Sequence, residues 1–210
     1  APAQDIYFTA GGSESDNWAL KAAAEAYAGK GRHIITSKIE HHAILHTCQY
    51  LEERGFEVTY LDVDEYGMVS PAAVEAAIRP DTILVSIMFA NNEIGTIEPI
   101  AEIGKIAHEH GVIFHTDAVQ AYGKLPLKVE KLPIDLVSMS GHKIHAPKGI
   151  GALYVKKGTR IDPIIYGGAQ QNGLRPGTES LPLACGMGYA AKLRAETIRQ
   201  DWETVTRLQA

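Results

Sequence analysis

Short apolar runs that are too brief for helices and too apolar for loops recur along this chain, and most are followed by a longer stretch with helical periodicity. "HIITS" at 33–37, "TILVSIM" at 82–88 and "LVSMS" at 136–140 are examples. The pattern predicts strands at Asp5–Thr9, His33–Ser37, Glu57–Leu61, Thr82–Met88, Val112–Thr116, Leu136–Ser140 and Gly151–Val155. Helices are predicted at Asp16–Ala28, Ala43–Arg54, Pro71–Ile78 and Ile100–His110, with a further helical pattern from near Leu183. Parallel neighbours need a crossover between them, usually a helix, so this alternation implies an α/β fold with a largely parallel sheet. Ligands of such sheets lie beyond the carboxyl ends of the strands. The polar residues just after each strand are therefore the ones to weigh.

Composition narrows the classes. The 210 residues are 45% hydrophobic and 21% charged, enough for one large domain, or one domain and part of another. A net charge of −5 leaves no basic footprint for nucleic acid, and no apolar stretch approaches the roughly 20 residues that cross a bilayer. The expectation is a soluble, cytoplasmic protein with neither nucleic acid nor membrane as partner. Cys48 and Cys185 lie far apart without metal-ligand spacing, so no disulfide framework and no metal site is expected. Cys48 falls in a helical pattern and reads as core. Cys185, near the start of the last helix, reads as packing. The chain opens on "APAQDIYFTAGG" with no initiator Met, and stops at "TVTRLQA" inside a helical pattern. Both ends lead us to expect a fragment of a longer protein.

Five positions after strands carry chemistry. In "TAGGSESDNWAL", Gly11, Gly12 and Ser13 precede a helix with acids in its first turn. Free amides at a helix N-terminus suit a phosphate, while a glycine turn with Ser as the N-cap is the plain structural alternative. In "SKIEHHAIL", His41 would cap the helix or form a flat wall against an aromatic ligand. In "FANNEIGTIEPI", Asn91 and Asn92 are turn residues or ligand-facing amides. Asp117 follows the apolar run "GVIFHT", with Gln120 three residues on; its carboxylate needs a partner, either a helix amide or a protonated ring nitrogen. Lys143, in "SMSGHKIHAPKGIG", stands among small residues beside His142, where restricted solvent would let an amine form a Schiff base with an aldehyde. A phosphate cradle, a stacking ring, a carboxylate for a pyridinium and an amine for an aldehyde are together the requirements of pyridoxal 5′-phosphate.

The ordered segments "FTAGGSES", "IEHHAIL", "ANNEIGTIEPI", "HTDAVQAYGK", "SGHKIHAPKGIGALYV" and "GLRPGTES" cover essentially the whole chain. Their sequence resembles the cysteine desulfurases of iron–sulfur cluster assembly, in the class V aminotransferase group. The resemblance implies the large domain of the pyridoxal-phosphate transferase fold type I, three layers around a mainly parallel seven-stranded sheet, spanning residues 1–210 without the family's N-terminal segment and small domain. It implies Lys143 as the lysine bound to the cofactor and His41 as the ring stacked on the pyridine. Asp117 would partner the ring nitrogen, Gln120 the phenolic oxygen, and Asn92 would face the substrate carboxylate. Gly12, Ser13, Ser140 and His142 would hold the phosphate, joined by Thr178 from the neighbouring subunit of a homodimer. The activity implied is conversion of L-cysteine to L-alanine, with sulfur passed through an enzyme persulfide to an acceptor or scaffold protein.

The sequence departs from that family at four points. Ser13 stands where Thr is commoner, Gln171 and Asn172 replace an acidic and basic pair, the family's substrate-carboxylate arginine is absent, and neither cysteine matches the persulfide loop, so this fragment by itself is expected to be inactive. The resemblance thus leaves open a selenocysteine lyase, a cysteine sulfinate desulfinase, or a cofactor-binding module without catalysis.

Overall fold

The computed structural model describes residues 1–209. Seven strands form one sheet: β1 (Ile6–Thr9), β2 (His33–Ser37), β3 (Glu57–Leu61), β4 (Thr82–Ser86), β5 (Ile113–Asp117), β6 (Leu136–Ser140) and β7 (Gly151–Val155). The helices are α1 (Gly12–Tyr27), α2 (His42–Glu52), α3 (Pro71–Ala77), α4 (Ile100–Glu109) and α5 (Leu181–Gln209). The sheet order is β1-β7-β6-β5-β4-β2-β3. β7 runs antiparallel to both β1 and β6, and the remaining pairings are parallel. All strands except β7 therefore end at the same edge.

Every residue of β2, β4, β6 and β7 is buried, as expected of strands covered on both faces. Alternation along the strands divides the core in two. Ile34, Leu84, Leu136 and Leu153 pack with Trp18, Leu20, Ile44 and Cys48 under α1 and α2. Ile35, Val85, Val137 and Ala152 pack with Val74, Ile103, Ala107 and Met187 under α3, α4 and α5. The result is a helix–sheet–helix sandwich. In α4 the buried set Ile100, Ile103, Gly104 and Ala107 has the i, i+3, i+4, i+7 spacing of one helix face.

Several boundaries move from their sequence positions. β4 stops at Ser86, and β5 runs one residue further to include Asp117 as its last member. α1 begins at Gly12 rather than Asp16, with Gly11 as N-cap, so Ser13 is inside the helix and does not cap it. Glu14 explains the early start. Its Oε2 accepts the Ala10 N–H at 2.6 Å, a reach-back from the third helical position that resembles half of a capping box. α5 begins at Leu181, and Cys185 on it is exposed, which overturns its reading as a packing residue.

Candidate functional site

The common strand edge carries a pocket. Its wall includes the first turn of α1, the start of α2, the residues after β4, the end of β5 and the turn after β6. Gly12, Ser13, His41, Asn92, Asp117, Gln120, Ser140, His142 and Lys143 all line it, joined by Asp16 and by Met88, Ala90 and Val119. Thr178 does not line it; it lies exposed between Gly173 and α5.

The α1 end is shaped by close approach. A Cβ on Gly12 would sit 2.7 Å from Val119 Cγ2 and 3.5 Å from Ser140 Cβ. At Gly151 it would sit 2.7 Å from the Gly11 backbone. Glycine at both positions thus lets the helix start press against the β5 and β6 ends, where its free amides face the pocket. Ser140 Oγ and His142 Nδ1 are 2.8 Å apart. Burial, with the charges of Lys143 and Lys148, holds His142 below the ordinary histidine range.

His41 is the N-cap of α2: its Nδ1 accepts the Ala43 N–H at 3.1 Å. That bond fixes one ring edge and leaves the other atoms exposed at the pocket, so capping and forming a wall are compatible. The two asparagines separate cleanly. Asn91 is buried and builds the turn, donating to Ile39 C=O at 3.0 Å and accepting the Glu93 and Ile94 N–H groups at 2.8 and 3.1 Å. Asn92 is exposed at the pocket.

Asp117 is 5% exposed, and its Oδ1 accepts the Val119 N–H at 2.8 Å. Burial raises its pKa, opposed by that amide and by His41. Gln120 Oε1 accepts from Lys124 Nζ at 2.7 Å, which leaves the Gln120 amide N–H groups to donate elsewhere. Lys143 is half-buried in the 3₁₀ turn Gly141–Ile144 that directly follows β6.

Sequence reasoning passed over Asp16 and Glu40. Asp16 lies four residues after Gly12, hence on the same helix face, and that spacing was the available signal. Glu40 precedes His41 and is 5% exposed, with burial pushing its pKa up to about 8. Among the described residues there is no cluster of three or more His, Cys, Asp or Glu that could hold a metal ion, and no helix long and apolar enough to cross a membrane.

Residues 1–209 match the family model for class-V aminotransferases. The chain is 59% identical to the cysteine desulfurase IscS of Methanosarcina thermophila over 209 residues, covering 100% of this chain and 52% of that protein. Among solved structures, a NifS-like protein superposes with a TM-score of 0.91 at 44% identity, over 94% of this chain and 55% of that one. A structure described as SspA in complex with cysteine gives 0.87 at 48% identity, over 90% of this chain and 55% of the other. The chain spans about half the length of the curated relatives it matches.

Proposed function

The chain belongs to the class-V aminotransferase family, and from that premise we propose that it binds pyridoxal 5′-phosphate in the strand-end pocket and supplies the cofactor-binding part of a desulfurase that removes sulfur from L-cysteine, the thiol that takes the sulfur being neither Cys48 nor Cys185. Its α/β architecture is fold type I of the pyridoxal-phosphate-dependent enzymes. Relatives at more than half identity that carry the name cysteine desulfurase support the reaction, and a structural neighbour described with cysteine supports the substrate.

The observation that carries the proposal is the convergence of Lys143, Asp117, His41 and the Gly12–Ser13 turn on one pocket. The pocket also fits the cofactor by what it lacks. Asp117 is nearly dry, and no lysine or arginine pairs with it among the described residues, so a protonated ring nitrogen supplies the cation it needs. When bound, pyridoxal phosphate offers an aldehyde for an amine and a ring that withdraws electrons from the substrate α-carbon.

The chain's own groups then divide the work. The α1 amides at Gly12 and Ser13, with Ser140 and His142, hold the phosphate dianion at a helix N-terminus. His41 packs its ring on the pyridine. Asp117 keeps the ring nitrogen protonated, and a Gln120 N–H donates to the phenolic oxygen. Lys143 would be the amine that holds the aldehyde and, when free, the base that moves the substrate α-proton. Asn92 orients the substrate carboxylate. In the complete enzyme, attack of a cysteine thiolate on the substrate sulfur would break the C–S bond, leaving the electron pair on carbon to be protonated to alanine and the sulfur as a persulfide for an acceptor protein; Cys48 and Cys185 do not line the pocket and would not supply that thiolate.

The same proposal makes residues 1–210 the cofactor-binding large domain, because all the expected cofactor contacts except Thr178 lie together in it. It makes the working form a homodimer, with Thr178 of one protomer reaching the partner's phosphate. Exposed Tyr166, Leu181 and Tyr189 support an interface near that segment. A cytoplasmic location is part of the proposal, and the two free thiols are in keeping with it. The test is borohydride reduction of the chain incubated with pyridoxal phosphate, followed by peptide mapping. The label is expected on Lys143 and lost in Lys143→Ala; label mainly on Lys148 or Lys156 would overturn the assignment.

A further inference from the structure

A second carboxyl group lies in the floor of the same pocket. Asp16, in the second turn of α1, is 1% exposed, and its Oδ1 has no hydrogen-bond partner. The ionisable nitrogen that faces it is His115 Nε2, 3.9 Å away. That imidazole is no counter-charge. It is fully buried, with Nδ1 2.8 Å from Ser86 Oγ and Nε2 3.0 Å from Ser138 Oγ. Burial alone drives its pKa down to about 3.

Asp16 therefore feels the charges of Asp117 and Glu40 and has no counter-cation beside it. Two carboxylates so placed do not both ionise without a positive partner. The surroundings also decide which one keeps the proton. Asp117 has the Val119 amide on one oxygen and His41 at the pocket side, both of which favour its anion. Asp16 has only the Ser138 hydroxyl in its favour, against burial and the charges of Asp117 and Glu40.

We propose that Asp16 is a positioning residue that works as a neutral carboxylic acid: it stays protonated in the pocket it lines with Asp117, so that the pocket offers one negative charge, localised on Asp117, to a cationic ring nitrogen. This rests on the reading of the pocket as a pyridoxal phosphate site. The acid lines the pocket together with Asp117 and adds no second charge to the one that the ring must meet. An ionised Asp16 would instead set a second anion against Asp117, so that one of the two carboxylates takes up a proton and the charge is no longer localised on Asp117.

The experiment uses the whole chain with pyridoxal phosphate labelled with ¹⁵N in the ring. Dissociation constants come from absorbance titration and ring-nitrogen protonation from the ¹⁵N shift, for wild type, Asp16→Ala, Asp16→Asn and Asp117→Asn. Asp16→Ala is expected to weaken binding about tenfold and to lower the protonated fraction. Asp16→Asn, which cannot ionise, is expected to rescue both, while Asp117→Asn loses ring protonation. An Asp16→Asn protein that behaves like Asp16→Ala or Asp117→Asn would mean that the anion is needed, and an Asp16→Ala protein indistinguishable from wild type would mean that Asp16 positions nothing. Either result overturns the proposal. If the variants do not fold, infrared spectra of wild type labelled with ¹³C-aspartate decide: a protonated carboxyl stretch at neutral pH supports the proposal and its absence refutes it. A wild type with no affinity for pyridoxal phosphate and no label on Lys143 overturns the reading of the pocket itself.

Discussion

Gln171 pairs with both backbone groups of Phe8: the Phe8 N–H donates to Gln171 Oε1 at 2.6 Å, and Gln171 Nε2 donates to the Phe8 C=O at 3.0 Å. Phe8 lies on β1, the edge strand, so this one side chain replaces a missing strand neighbour. Gln171 reaches it from a left-handed backbone conformation, φ 47°. Arg175 adds a two-point contact to Glu14, at 3.0 and 3.3 Å, on the first turn of α1. The segment around Thr178 is thus tied to the strand and the turn that frame the α1 end of the pocket.

Replacing Gln171 should loosen that tie in a graded way. Gln171→Ala leaves both Phe8 groups without the side chain and is expected to cost about 1–3 kcal/mol in urea unfolding. Gln171→Glu keeps an acceptor for the Phe8 N–H but sets a carboxylate against the Phe8 C=O. It is expected to be no more stable than the Ala variant at neutral pH and to recover as its carboxyl is protonated.

Asp117→Asn should leave the fold intact and strike the chemistry. An amide still accepts the Val119 N–H but cannot hold a proton on a ring nitrogen. Exchange of the substrate α-proton with solvent deuterium, followed by NMR, is expected to fall by orders of magnitude. Exchange at the wild-type rate would contradict the role.

How much of this was legible beforehand follows from where the signals reside. Strand cores such as His33–Ser37 and Leu136–Ser140 are placed correctly because burial on both faces leaves a short run without Asp, Glu, Lys or Arg, in which apolar residues alternate or pair with small polar ones. The strand-end polar residues follow from that placement. The start of α1 was missed because Glu14 caps it from inside, against the usual expectation of a leading Ser. Cys185 was misread because a helix pattern alone does not tell which face meets the sheet: Met187 and Ala190 do, and Cys185 does not. Asp16 looked like one more first-turn acid, and only the approach of Gly12 to Val119 reveals that its helix face is driven into the pocket floor.

Two buried groups set opposite pH limits on stability. Glu40 has a folded pKa of about 8 against an ordinary 4.5, so its favourable contribution is complete at low pH and lost as pH rises through about 8. His115 is depressed from 6.5 to about 3, so its contribution is complete above 6.5 and lost as pH falls towards 3. Glu40→Gln is expected to remove the decline in urea midpoint that Glu40 causes between about pH 4.5 and 8, while leaving the loss towards pH 3 in place. An unchanged decline would show that Glu40 ionises freely in the folded state.

The two thiols should differ sharply in reactivity, and neither should serve the reaction. Cys48 is fully buried on α2, and desolvation together with Glu40 and Glu52 pushes its thiol up to about 12, so almost no thiolate exists at neutral pH. Cys185 is exposed on α5 but is not among the residues that line the pocket. Sulfur transfer requires a thiolate held in near-attack geometry with the substrate sulfur, and such positioning can supply roughly 7–11 kcal/mol of a barrier. Iodoacetamide is therefore expected to modify Cys48 only in urea, while Cys185, on the α5 face that carries Leu181 and Tyr189, is expected to react in the monomer and to be protected by dimerisation, as mass spectrometry of each peptide would report. Cys48→Ser and Cys185→Ser should both retain Lys143 labelling by pyridoxal phosphate and borohydride. Any sulfide release from cysteine and dithiothreitol should be the same in Cys185→Ser as in wild type, and its loss there would make Cys185 a participant in sulfur transfer after all.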